Sequence, residues 1–134
     1  MASAHIISTQ IRHVRDAESA RALFATIAAL PYEMVALAYL DPDRRLLGMR
    51  HAPPGDGVSA EVPVRLILRD ALAMDAASVV MAHNHPGGDP TPSTADRAVT
   101  RRVARALDMV DITLMDHIVL AARGSFSFRA MGLL

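Results

Sequence analysis

The sequence predicts an α/β (α+β) domain, and three observations carry that expectation. Short apolar runs of strand length alternate with longer stretches whose apolar residues recur at helical spacing. Clusters of Pro, Gly and Asp punctuate them as turns. At 134 residues and 51% hydrophobic content, the chain has the length of one domain and enough apolar mass for a core.

The elements follow in order. Residues 1–15 alternate weakly, belong to no clear class and are set apart as an N-terminal extension. "DAESARALFATIAAL" (16–30) has helix formers, acidic residues in its first turn and Pro31 just past its end, which predicts a helix over 16–30. "EMVALAYL" (33–40) is an apolar strand that could stand at a sheet edge and pair with a second copy of the chain. "DPDR" (41–44) is a turn, and "RRLLGMRHA" (44–52) returns as the antiparallel partner. "PPGDG" (53–57) is loop, and "VSAEV" (58–62) is a short strand. Pro63 suits the first turn of a helix over 63–76. There Leu66, Ile67, Ala71 and Met74 share one side, with Arg65, Arg69 and Asp75 elsewhere. "SVVMAHNH" (78–85) is a strand, "STADRAVTRRVARALDMV" (93–110) a long amphipathic helix, "ITLMDHIVLAA" (112–122) one strand or two short ones, and "GSFSF" (124–128) a last turn and strand.

Composition narrows the function. Net charge is zero with His neutral, a poor electrostatic footprint for non-specific nucleic-acid binding. All 14 basic residues are arginine, so Schiff-base chemistry on lysine is excluded. Cysteine is absent, so any metal must be held by nitrogen and oxygen ligands. No apolar run is long enough for a membrane span, and the N-terminus lacks the apolar core of a secretory signal. A cytoplasmic location is expected.

The chemistry concentrates in "MAHNHPGGDPTPSTAD" (81–96). His83 and His85 are two apart at the end of a strand, so their side chains leave it on the same side. Pro86, Gly87 and Gly88 then bend the chain. A helix starts at Ser93, which puts Asp96 in its first turn, facing the loop. Two histidines and one aspartate make a three-ligand set with a fourth position left for water. Two blander readings stand beside it: the histidines as polar loop residues, and Ser93-x-x-Asp96 as a helix capping box, in which Asp96 cannot both cap fully and ligate. A hydrolytic metal also needs a general base. The chain has three glutamates. Glu18 looks solvated, Glu33 stands before an apolar strand where structure does not need a carboxylate, and Glu61 follows a turn-rich loop. Glu33 ranks first and Glu61 second.

The pattern His-x-His, seven residues, Ser-x-x-Asp, with a glutamate upstream, resembles the JAMM (MPN+) zinc metalloprotease motif. The surrounding text is closer to the bacterial RadC-like branch of that superfamily. "AHNHPGGDPTPSTAD", "MDHIVLAARGSFSF" and "PYEMVALAYLDPDRRLLG" all resemble its segments, over roughly residues 20–132. The resemblance implies a single RadC-like JAMM/MPN domain over 1–134, of cytidine-deaminase-like architecture, with a curved mixed β-sheet flanked by helices. It implies one Zn2+ held by His83, His85 and Asp96, with Glu33 as general acid/base and Ser93 steadying the oxyanion. The implied reaction is hydrolysis of a peptide or isopeptide bond in a protein or peptide substrate. Gly87 stands where the family more often has serine, which changes a loop hydroxyl and not a ligand. Longer RadC-like proteins carry a helix-hairpin-helix region, which this sequence starts too late to include, so a DNA-repair role is expected to be weaker here. The alternative is a non-catalytic zinc-stabilised module that docks protein or DNA. A two-metal nuclease would want more carboxylates than Asp89 and Asp96 offer.

The remaining candidates divide by pattern. Asp116 and His117 read either as partners that orient a ligand imidazole or as a buried hydrogen-bonded pair. Arg97, Arg101, Arg102 and Arg105 read as a solvated helix side, with phosphate contact as the alternative. His5, His13 and His51 carry no pattern and are expected at the surface.

Overall fold

The strand Val35–Leu40 (β1) is apolar on both sides of its pleat, and all of its residues are buried. Such a strand needs cover on both faces and neighbours on both sides. The computed structural model, which describes residues 12–52 and 62–134, supplies both. β1 pairs antiparallel with β2 (Leu46–Ala52) and with β3 (Ser78–Asn84). β3 runs parallel to β4 (Thr113–Ala121), which returns antiparallel as β5 (Gly124–Ser127). The result is a mixed five-stranded sheet in the order β2-β1-β3-β4-β5. The expectation that 33–40 stands at an edge is therefore corrected, and among the described strands the outermost are β2 and β5. An unbroken apolar run is what a strand buried on both faces carries.

Helices cover the two faces. On one lie α1 (Ala17–Leu23) and a 3-10 turn (Ala25–Ala29), packed on Ala36, Ala38, Val80 and Ile118. On the other lie α2 (Val64–Ala73) and α3 (Thr94–Asp108), packed on Leu37, Tyr39, Met81 and Leu114. The single helix expected over 16–30 breaks at Phe24. Phe24, Ile27 and Leu30 all pack toward the sheet at a spacing of three. Three residues per turn is the 3-10 period, whereas α-helical winding would rotate the third of them off the core.

The other elements follow the sequence closely. Asp41 Oδ1 accepts the backbone N–H groups of Asp43 (2.8 Å) and Arg45 (2.9 Å), which closes the β1–β2 turn. In α2, Ile67 and Ala71 are buried while Arg65 and Arg69 are exposed, as is Asp75 just past its end. Pro63 stands one residue earlier than expected, at the cap. Asp70 of the same helix is buried too. Its carboxylate accepts from the Tyr39 hydroxyl at 3.1 Å and pairs with the Arg50 guanidinium, tying α2 to β1 and β2. The "VSAEV" strand expected at 58–62 lies almost wholly outside the described residues. Among the described residues, no helix is long and apolar enough to cross a membrane.

One irregularity matters for the site. Val79 pairs with Leu114, but Val80 pairs with Asp116, so Met115 is an extra residue in β4. Met115 packs with the α1 face, Leu114 with the α2/α3 face. The bulge resets the alternation, so that His117 faces α3 beside Met81 and Asp116 faces the other way beside Val80.

Candidate metal centre

The site lies at the C-terminal end of β3, where the chain leaves the sheet toward α3. His83 is in the strand and 4% exposed; His85 follows directly after it. The chain then turns back, with the Gly88 N–H donating to the His85 carbonyl at 3.0 Å. Gly88 has φ 97°, a conformation that L side chains rarely adopt, and its carbonyl accepts the Arg123 N–H at 3.1 Å. Ser93 caps α3. Its Oγ accepts the Asp96 N–H at 3.0 Å, and Asp96 Oδ2 accepts the Ser93 N–H at 2.8 Å. The capping box and the ligand geometry coexist. The same carboxylate lies 3.1 Å from His85 Nε2 through Oδ2 and 3.4 Å from His83 Nε2 through Oδ1. The cap engages Oδ2 alone, so Asp96 caps α3 with Oδ1 still free of the helix.

The hydrogen-bond partners assign one order of protons on the ring nitrogens. The single hydroxyl hydrogen of Thr100 donates to the Asp96 carbonyl at 2.7 Å. At 2.6 Å from His117 Nδ1, the Thr100 oxygen must therefore accept, so His117 is protonated on Nδ1. Burial pushes the His117 imidazole well below its ordinary pKa, and the neighbouring charge of His83 pushes the same way, so the ring is neutral at pH 7 and Nε2 is an acceptor. His83 Nδ1, 2.7 Å away, then donates to it. His85 Nδ1 faces the Asp89 carbonyl at 2.9 Å, which can only accept. In their neutral forms both histidines thus carry their proton on Nδ1 and present a bare Nε2.

Those two Nε2 atoms lie 3.0 Å apart, with the Asp96 carboxylate beside them. Three lone-pair donors converging without a proton between them repel one another, and only a cation in their midst, a proton or a metal ion, makes the arrangement favourable. Two imidazole nitrogens and a carboxylate oxygen suit zinc, iron or manganese. Burial works to raise the Asp96 pKa, but with a proton held between His83 and the carboxylate, the hydrogen bond and charge of His83, together with hydrogen bonding to Ser93, overcome it and hold the carboxyl well below the usual range. The aspartate is anionic, as a ligand must be.

Glu33 comes to the same place, within 4.8 Å of the ligand nitrogens of His83 and His85. Glu33, His85, Ser93 and Asp96 open onto a shallow cleft of ≈ 550 Å³, lined also by Pro86, Gly87, Asp89 and Thr91. The Ser93 hydroxyl, whose oxygen accepts the Asp96 N–H, lies at the same cleft. Glu61 and His5 lie outside the described residues. His51 is exposed, and His13 is half-buried in a bridge to Arg45. Arg97, Arg101, Arg102 and Arg105 are exposed along α3.

Of the Asp116–His117 pair, the structure brings only His117 to the site. Asp116 accepts the backbone N–H groups of His117 (2.7 Å) and Arg129 (3.0 Å) and the Ser127 hydroxyl (2.6 Å), and so orders the C-terminal turn instead of an imidazole. A second hollow of ≈ 280 Å³ lies at the opposite end of the sheet, where the carboxylates of Asp16, Asp41 and Asp116 are already taken by backbone N–H groups. Two residues of the site escaped sequence reasoning. Thr100 shows only as a small polar residue one helical turn after Asp96, and Asn84 only as the middle of His-Asn-His.

Residues 14–133 match the RadC-like JAB domain. The chain belongs to this family. It is 40% identical over 127 residues to a UPF0758 protein of Vibrio cholerae, covering 90% of this chain and 80% of the relative. It is 40% identical over 108 residues to the UPF0758 protein YfjY of Escherichia coli, covering 81% and 68%. Against a UPF0758 protein of Nitrosococcus oceani it is 40% identical over 114 residues, which is 85% of this chain but 51% of that one. Several relatives are thus about twice as long as the part this chain matches. The JAB assignment accords with the mixed sheet and its flanking helices, and makes this a JAMM/MPN-type domain.

Proposed function

We propose that this RadC-like JAB domain is a zinc-dependent metallohydrolase of JAMM type that cleaves a peptide or isopeptide bond. His83, His85 and Asp96 would hold the metal, Glu33 would act as general acid/base, and Ser93 would steady the oxyanion. The observation that carries the reading is the pair of imidazoles, each with a partner at hydrogen-bond distance behind its Nδ1, and with both Nε2 atoms aimed at one point beside Asp96. A bound zinc ion supplies an acidified water and polarises the scissile carbonyl. Glu33, which lines the cleft, would take up a proton and return it to the leaving nitrogen. The Ser93 hydroxyl, on the wall of the cleft, would donate to charge developing on the substrate oxygen. The absence of cysteine fits a cytoplasmic enzyme.

The test is metal content by inductively coupled plasma mass spectrometry on untagged protein, beside a His83→Ala/His85→Ala variant. About one zinc per chain, lost in the variant, is expected. Glu33→Gln should keep the zinc and lose cleavage across a panel of peptide and isopeptide substrates. Metal absent from both proteins, even after zinc reconstitution, would sink the proposal. One observation favours a second reading, a module that docks nucleic acid. Arg97, Arg101 and Arg105 form an exposed stripe at spacing four along α3, whose first turn is at the site. Salt-sensitive duplex binding lost in Arg101→Ala/Arg102→Ala would support it, and no binding at low salt would remove it.

A further inference from the structure

Asn84, between the two histidines, is completely buried, and by strand alternation its side chain leaves β3 on the face opposite His83. The backbone ladder between β1 and β3 ends at Val35 opposite His83. Continued by two residues, that register would set Met34 opposite Asn84 and Glu33 opposite His85. The backbone ladder does not continue, and the Asn84 carboxamide takes its place. Its Oδ1 accepts the Met34 N–H at 2.7 Å, and its Nδ2 donates to the Tyr32 carbonyl at 2.9 Å and the Leu30 carbonyl at 3.3 Å.

We propose that Asn84 is a positioning residue that holds Glu33 over the metal centre by clamping the backbone on both sides of it. The proposal rests on the reading of Glu33 as general acid/base. Glu33 sits in an irregular stretch between the 3-10 turn and β1, where no helix or sheet ladder fixes it. Among the described residues its carboxylate has no hydrogen-bond partner, so its place is set by the backbone alone. The clamp needs one acceptor and two donors on a short planar group. Aspartate lacks the donors, serine has one, and glutamine is a methylene too long. A general base must sit within hydrogen-bond reach of the proton it takes, so freeing 30–34 would disperse Glu33 while leaving His83, His85 and Asp96 in place.

The test uses the scarcity of glutamate. Protein labelled with 13C at the glutamate side-chain carboxylates gives three signals, from Glu18, Glu33 and Glu61. Glu33→Gln assigns the middle one. On adding one equivalent of zinc the Glu33 signal should move, with Glu18 as the distant reference. In Asn84→Ala and Asn84→Ser zinc should bind at the same stoichiometry, and most of the Glu33 shift should be lost. The full shift in a folded variant overturns the proposal and leaves the acid/base reading standing. A wild-type Glu33 signal indifferent to bound zinc sinks that reading, and the proposal with it. Should neither variant fold, amide exchange in the wild-type protein decides. The Met34 N–H should be protected although it lies outside every strand, and exchange at the rate of an open amide overturns the clamp.

Discussion

Replacing Thr100 by valine should weaken zinc binding more than it weakens the fold. The substitution keeps the shape of a side chain that is 1% exposed and removes only the oxygen that His117 Nδ1–H donates to, at 2.6 Å. His117 then has two courses. It can keep its proton on Nδ1, leaving a buried N–H unpaired at a cost of roughly 1–3 kcal/mol. Or it can move the proton to Nε2, which faces His83 Nδ1 at 2.7 Å. His83 must then shift its own proton to Nε2, the atom that should meet the metal. The metal-free protein takes the second course and loses little. Zinc binding has to reverse it and restore the stranded N–H. At about 1.4 kcal/mol per factor of ten, the zinc Kd should rise roughly 5- to 150-fold. The metal-free protein should lose no more than about 1 kcal/mol, some 3–5 °C in Tm for a chain of this length. Competition against a chromophoric chelator measures the first quantity and thermal melts of metal-free protein the second. An unchanged Kd alongside a lowered Tm would refute the reasoning, because Thr100 would then be a residue of the helix and not of the proton order behind His83.

Three further outcomes follow from the same geometry. The hydrogen bond from Arg50, ahead of the opposing effect of burial, holds Asp70 below its ordinary pKa of 3.8. A depressed carboxyl stabilises the fold above its unfolded pKa and stops doing so as pH falls through the folded one. The Tm advantage of wild type over Asp70→Asn should therefore be full at neutral pH and shrink below about pH 4, and an advantage that persists there would contradict the ion pair. Gly88→Ala should cost roughly 1–3 kcal/mol of stability from backbone strain alone, since an added Cβ would meet nothing closer than Arg123 Nε at 3.9 Å. Gly87→Ala, with open space and an ordinary φ, is the control, and equal melting of the two variants would contradict the argument. Ser93→Ala should cost about 1 kcal/mol as a lost helix cap, with zinc stoichiometry kept, and loss of the metal would mean that the cap and the centre are not separable in the way described.

The parts of the site legible in the sequence are those whose geometry is local. His83 and His85 converge because strand side chains repeat every two residues, and Asp96 faces them because a capped helix fixes its first turn. Glu33 is less local: the antiparallel pairing of β1 with β3 brings it to the end of β3, and only the hairpin at 41–45 could be read from the sequence. What was illegible depends on contacts between distant segments. The break at Phe24 answers to the sheet beneath it, and the interior place of β1 depends on β3, which lies nearly forty residues on. Asn84 has no meaning until 30–34 is seen folded against it. The choice between Asp116 and His117 is the sharpest instance. Regular alternation from Leu114 would send Asp116 toward α3 and His117 away. The extra residue Met115, visible only once β4 is paired with β3, reverses that order. The carboxylate goes to the C-terminal turn, and an imidazole takes the place behind His83. Thr100, four residues past Asp96, then becomes the end of a chain of hydrogen bonds that begins at the donor nitrogen of His83. A bulge in one strand thus decides which atom of a histidine in the next strand is free to bind.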